Sequence, residues 1–375
     1  MFHRLRLLIL CCCISGSFAY AQKDSTRSEP EHVLLHPDKF YKKYMPNLRI
    51  KANPPDSAYV KVYPNYLSVG MHIFSPVIHV NISPAKYTDA PVSPSSKFRT
   101  SISNVVGFSA SYRYVAAGFA FLTNSGMHLR DGYTPSRYRT ATIKYSGRAF
   151  NFQFKYIRIR GFTDVQQHMT INGDYILRPD LVTKEFQFEG LWNFNWRRYS
   201  YVAPINFSQR QVKSHGSFLL KTGVYYQQLF GDTAILRPQQ QLYYEKFGNA
   251  RALRMTSIRL APGIGANLVF LRKVYLSTVT FTSFDLCFYK SLESLDARVK
   301  SRPDVVFYLD HKFGIGYHST RFYAGLRYDV EARSGVLDDT DISQIYQYVG
   351  VELGYRFNAP IPLKKFYKKT MPPGM

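Results

Sequence analysis

Serine and histidine stand side by side at Ser214-His215 and His318-Ser319, and Ser125 lies close to His128. Nucleophilic hydrolysis needs a serine hydroxyl, a histidine base and a polar residue that orients the base. Adjacent residues of an extended strand point to opposite faces, so Ser214 and His215 cannot be nucleophile and base of one site. A polar loop segment is the simpler reading of that pair. Glu185 and Glu189 share a strand face with Gln187 between them. Two carboxylates act as acid and base only with a substrate between them, and nothing else in the sequence supports that role. His72, His79, His128, His168, His215, His311 and His318 are scattered, without an H-E-x-x-H or a calcium-loop pattern. Asp338-Asp339-Thr340-Asp341 could hold a divalent cation weakly, and a solvated loop has the same composition. Gly107, Gly263, Gly265, Gly314, Gly316, Gly350 and Gly354 do not form a phosphate-binding pattern. They read as small inward residues or points of strand curvature. The expectation is a protein without catalytic residues, metal or cofactor.

One set of charges is organised. Arg327, Asp329, Glu331 and Arg333 alternate with Leu326, Tyr328, Val330 and Ala332. Glu185, Glu189, Asp310, Lys312, Glu352 and Arg356 occupy the same kind of position on other segments. Charges confined to one side of a strand either pair across an interior or line a water-filled path and set its selectivity. The mixed signs favour pairing.

The elements that carry these charges have two faces. Phe150, Phe152, Phe154 and Tyr156 alternate with Asn151, Gln153 and Lys155. Phe186, Phe188, Trp192 and Phe194 alternate with Glu185, Gln187, Glu189 and Asn193. Repeated segments of about ten residues with one apolar and one polar face are the pattern of a transmembrane β-barrel. The spacing predicts hairpins at 105–122, 138–160, 183–207, 257–290 and 305–333, and a last strand at 344–357. Short turns belong to the periplasm and long loops to the outside, which places 123–137, 161–182, 291–304 and 334–343 outward. Phe281 and Phe284 suggest a β-bulge near Thr282-Ser283. Residues 65–82 are a first strand or a plug. Residues 217–227 and 257–270 should both run toward the periplasm, so a segment between them must cross back, and 235–247 is the only candidate. Including both uncertain segments gives about 14 antiparallel strands, and omitting both gives about 12.

Residues 1–21 read as a secretory signal, with Arg4 and Arg6 before an apolar run and Ala19-Tyr20-Ala21 before Gln22. Three cysteines at 11–13 raise a lipoprotein signal as the alternative, against which Ile9-Leu10 stand where small residues belong. Past the signal only Cys287 remains, so no internal disulfide can form. No apolar run reaches the ~20 residues of a membrane helix, and the 30 Tyr and 28 Phe fit the aromatic girdles of barrels. The net charge of +24 would suggest nucleic acid in a soluble chain. A secreted chain meets lipopolysaccharide phosphates instead, or prefers anions in a pore. Residues 22–60 read as a periplasmic lead, 61–357 as the barrel, and 358–375 as a basic periplasmic tail with Lys364, Lys365, Lys368 and Lys369.

Arg178-Pro179-Asp180 and Gln209-Arg210-Gln211-Val212-Lys213-Ser214-His215-Gly216-Ser217 keep their order and context. With 145–161 and Gly354-Tyr355-Arg356-Phe357 they make the chain resemble the domain-of-unknown-function 4421 family of Bacteroidota outer-membrane barrels, over about residues 60–357. Gly354–Phe357 also looks like the terminal aromatic signal that barrel-assembly machinery reads, although here the chain continues beyond it. The resemblance implies an outer-membrane location and a barrel, and no substrate. The expected partners are outer-membrane lipid, lipopolysaccharide and the assembly machinery, not nucleic acid, with a monomer as the expected state. The function expected is a narrow channel for small or anionic solutes. The alternatives are a structural or adhesive barrel with a plugged lumen, and an enzyme acting on lipid or lipopolysaccharide.

Overall fold

Alternation with a period of two runs along nearly every segment between 66 and 358, and in the computed structural model these segments close into a ring. The structure describes residues 55–85, 94–102, 104–122, 132–147, 149–168, 175–244, 246–293 and 301–370. The expected signal, residues 22–54 of the expected lead, Ser125, His128 and the side chain of His168 lie outside the described residues.

The wall begins with β2 (Tyr66–Pro84), β4 (Val105–Tyr112), β5 (Val115–Leu122), β6 (Arg137–Ser146), β7 (Phe150–His168) and β8 (Tyr175–Asn193). It continues with β10 (His215–Phe230), β11 (Ala252–Phe270), β12 (Val274–Leu292), β13 (Arg302–His318), β14 (Phe322–Leu337) and β15 (Thr340–Asn358). Each strand pairs antiparallel with the next, and β15 closes on β2 from Thr340↔Pro84 to Asn358↔Tyr66. Among the described residues the closed ring has twelve strands; the sheet's thirteenth is the short β3 (Ser96–Arg99). Closure leaves no unpaired edge, which a bilayer requires of a sheet.

Residues 65–82 are therefore wall. Residues 235–247 do not cross the barrel, and 199–207 are not a strand. Strand β10 runs away from the short-turn end, so the predicted return strand is not needed. The count is twelve because the 199–207 segment folds inside the ring rather than joining it. Phe281 is fully buried on the inner face and Phe284 is 74% exposed on the outer face, with unbroken β12–β13 register between them. The expected bulge at 282–283 is thus absent: two aromatics three apart face opposite ways in an ordinary strand.

The register does shift at Gly161, between Arg160 and Phe162. Gly161 has φ +89°, and a Cβ there would sit 2.6 Å from the Pro135 carbonyl. Only glycine tolerates both conditions. Up to Arg160, β7 pairs with β6; beyond the bulge it pairs with β3, which also pairs with β2 through Ile82↔Ser96 to His79↔Arg99. The ring thus narrows above the short β4–β6 wall.

Strands of 19 residues are about 60 Å long at ~3.3 Å per residue, more than a tilted strand needs to cross a bilayer. The segments 161–182 and 334–343, expected as loops, are largely continued strand, joined in the second case by Asp338-Asp339 alone. The outer face carries exposed Ile143, Phe188, Leu260, Ile264 and Val351. At the short-turn end Trp192 stacks on Phe194 (5.5 Å), and Tyr355 packs on Phe357 (4.9 Å), as an interfacial aromatic girdle does. His311 also faces outward, bonded through Nδ1 to Thr280 Oγ1 (2.8 Å).

The barrel unit spans Asn53–Ala359. In a separate unit, the expected tail forms the helix α2 (Ile361–Thr370), with Lys364, Lys365 and Phe366 exposed.

Candidate functional site: a chamber between two stoppers

Inward positions down β15 map the interior by depth. Ile342 lies in an apolar cluster, Gln344 in a polar rung, and Tyr346 and Tyr348 form an aromatic layer. Glu352 then lines a chamber and Arg356 reaches the short-turn end, assigned to the periplasm.

The periplasmic stopper is the β8–β10 connection, residues 194–214. Tyr199, Val202, Ala203 and Phe207 are buried in the barrel. Phe207 stacks on Tyr323 with ring centroids 4.4 Å apart, and Tyr201 meets Phe281 edge-on at 6.4 Å. Gly265 makes room for Tyr199, whose hydroxyl would lie 2.2 Å from a Cβ at that glycine. Burial pushes the Tyr199 hydroxyl above its ordinary value, with a smaller push from Tyr201.

Side chains of the wall hold this loop by its carbonyls. Asn193 donates to Tyr199 (2.9 Å), Asn267 to Ser200 (2.9 Å) and Arg327 to Ile205 (3.1 Å). Arg356 donates to the carbonyls of Phe207 and Ser319 and contacts His318. Strand β9 (Gln209–Gln211) pairs with β1 (Val60–Val62) as a separate two-stranded sheet.

The family-like residues Gln209 to Ser214 belong to this stopper, and His215 to Ser217 open the wall strand β10. Gln211 donates to the carbonyls of Arg198 (2.6 Å) and Lys213 (2.9 Å) and accepts from the Ser200 amide (2.8 Å). Gln209 accepts from the Ser200 hydroxyl (2.7 Å), and Arg210 reaches the His318 carbonyl (3.5 Å). The Lys213 ammonium lies over Tyr59, and a Cβ at Gly216 would come within 3.1 Å of the Gly265 carbonyl. Ser214 accepts from the Val269 amide (2.9 Å) and Ser217 from the Asn195 amide (2.9 Å). His215 bonds Asn195 (2.7 Å). Ser214 and His215 lie at the short-turn end, where β10 begins.

The outer stopper is the β10–β11 connection, with the short helix α1 (Pro238–Gln241). Ile235, Leu236, Tyr244 and Phe247 pack with Ile78, Ile82, Phe98 and Phe162. The other family-like triplet anchors it. Arg178 pairs with Asp180 (2.9 Å) and donates to the Ile235 carbonyl (2.6 Å), while Asp180 accepts from the Asp232 amide (3.2 Å). The Pro179 carbonyl accepts from Arg160 (3.2 Å). Asp338, from the acidic cluster, is occupied by Arg302 (2.6 Å) and Lys246 (3.3 Å). Burial raises its carboxyl, but the donors Arg302, Tyr289 and Lys246 outweigh that and hold it below the usual range. Among the described residues no three His, Cys, Asp or Glu side chains are grouped to hold a metal.

Between the stoppers the inward charges meet. Asp310 pairs with both Lys221 and Lys312. Arg333 bridges Glu185 and Glu331, each at 2.6 Å. Arg259 pairs with Asp285 (2.6 Å) between the rings of Tyr225 and Tyr308. Arg327 lies 3.3 Å from Asp329, and Glu189 accepts from Tyr225 and Gln153. Lys221, Arg259 and Asp285 complete these pairs without having been singled out in the sequence. Their signal was only that they hold the inward phase of their strands.

Below Tyr346 and Tyr348, and above Tyr201 to Asn206, a chamber of about 220 Å³ remains. Lys144, Lys155, Lys312, Arg327, Glu189 and Glu352 are among its lining residues.

An even-numbered closed antiparallel barrel with an apolar outer face is the architecture of bacterial outer-membrane proteins, and this chain has it. It is similar to the outer membrane protease OmpT from Escherichia coli, at 8% identity and TM-score 0.35, covering 79% of this chain and 98% of that one. It is similar to the translocator domain of the autotransporter NalP from Neisseria meningitidis, at 14% identity and TM-score 0.38, covering 77% and 88%. An outer membrane channel from Pseudomonas putida F1 aligns at 8% identity and TM-score 0.32, covering 79% and 97%. Likeness at this level carries no activity from one chain to another. No curated protein matches the chain. Residues 54–357 match the family described as domain of unknown function (DUF4421), and the chain belongs to that family.

Proposed function

We propose that the protein is a gated outer-membrane transport barrel for small anionic solutes, closed at both mouths in this state. The observation that carries the reading is that the periplasmic stopper is not part of the wall. Side-chain bonds from Asn193, Asn267, Arg327 and Arg356 to loop carbonyls tie it to the wall. It can withdraw without breaking one rung of the barrel ladder. A polar chamber lies directly behind it.

A second reading is a structural barrel whose lumen stays plugged. The Arg333–Glu185–Glu331, Lys221–Asp310–Lys312 and Arg259–Asp285 groups favour it, because they fill the interior with mutually satisfied charge. Planar-bilayer recording separates the two. The wild-type barrel is expected to stay shut for most of the record. Replacing residues 198–207 with a short Gly/Ser linker is expected to give steady, anion-preferring steps. A folded, heat-modifiable deletion barrel that remains silent would sink the transport reading.

A further inference from the structure

Most carboxylates around the chamber already have a charged or hydrogen-bonding partner: Asp310, Asp329, Glu189 and Glu331 are all engaged. Two cations are not. Lys144 on β6 and Lys155 on β7 both point into the chamber. They occupy successive inward-facing rungs, Lys144↔Gln153 and Thr142↔Lys155. Among the described residues, neither ammonium has a carboxylate oxygen within 4.0 Å. The nearest named partner of Lys155 is the ring of Tyr346, 5.3 Å away.

The wall beside them is built from small residues: Ser109, Ser111, Ala116, Gly118, Thr140 and Thr142. Those side chains leave the space open and supply hydroxyls. Carboxylates act on the two ammonium groups only from a distance, Glu352 and Asp329 on Lys144 and Glu331 on Lys155, without the direct pairing that a buried charge requires. An acidic group placed between them would supply it through charge-assisted hydrogen bonds. The chamber, at about 220 Å³, is larger than the ~150 Å³ that accommodates benzene.

We propose that Lys144 and Lys155 form a subsite for the carboxylate or phosphate of a small organic anion. This rests on the gated-barrel reading only for how the anion enters. The test uses the full mature chain refolded in the presence of benzoate or phenyl phosphate, so that entry through a closed stopper does not limit binding. Affinity is read by calorimetry and by the probe-dependent rise in unfolding temperature. Saturable binding of at least one probe is expected, weakened at least tenfold in K144M and in K155M. Lys364→Met, on the separate α2, should leave it unchanged. Lys144→Gln and Lys155→Gln serve where methionine prevents folding. Which probe binds more tightly separates a carboxylate from a phosphate ligand. The absence of saturable binding for both probes, or equal affinity in the lysine variants, overturns the subsite. Lysine-dependent binding in a barrel whose stopper deletion stays silent would keep the subsite and remove transport. Conductance with lysine-independent binding would do the reverse.

Discussion

At the scale of single residues, the interior is governed by what buried charge costs. Asp310 is almost wholly enclosed and sits between two ammonium groups, Lys221 and Lys312. Removing its charge strands both lysines in a low-dielectric interior. Asp310→Asn is expected to lower stability by about 3–5 kcal/mol, read from urea unfolding of the detergent-solubilised barrel. Replacing the trio together, Asp310→Leu with Lys221→Met and Lys312→Met, should recover most of that loss, since an apolar set carries no desolvation cost. If the single substitution proves neutral, the trio is hydrated and the interior is wetter than its geometry indicates. The inward phase of Asp310 and Lys312 was legible from alternation. Their partner Lys221 was not, because it lies 89 residues from Asp310 in the chain and meets it only across the closed lumen.

At the scale of elements, two connections have been recruited as stoppers, and the family-like motifs are their fasteners. Arg178 and Asp180 hold the outer one, and Gln209 and Gln211 the inner one. Asp338 adds an acid-sensitive clamp through Lys246 and Arg302. Its carboxyl is held below the usual range, so its folded value lies below its unfolded one, near 3.9. The clamp's contribution is therefore full above about pH 5 and is lost as the pH falls through the folded value. Hydrogen exchange of residues 235–250 is expected to be faster in D338N than in wild type at pH 7. That difference should vanish under strong acid, where both carry a neutral side chain. A difference that persists unchanged at low pH would show that the clamp is not ionic. Sequence reasoning located both motifs but could not say what they fasten, because their partners are backbone carbonyls and amides, which every segment offers alike.

At the scale of the whole molecule, the outer face must remain apolar around the ring for the barrel to sit in lipid. Phe188 is 55% exposed and pairs across strands with Phe154 and Val224. Phe188→Arg is expected to cost about 2–4 kcal/mol if the site lies near the bilayer midplane, measured by unfolding in vesicles of defined thickness. A cost near zero would place the lipid belt elsewhere on the strands.

Strand alternation by itself determined the barrel class, the lipid-facing aromatics and the inward set from Glu185 to Arg356. A period of two assigns each side chain to a face whatever its neighbours are. Only the tertiary structure decided the number of strands and the state of the lumen. Tyr199, Tyr201 and Phe207 stand at odd positions of one segment, as aromatics on one face of a wall strand do, yet they pack inside the ring. An aromatic side chain gains as much from burial in a lumen as from facing lipid. Whether such a segment becomes wall or plug therefore depends on space: the ring is already closed by β15 on β2, and Gly265 leaves room within it for Tyr199.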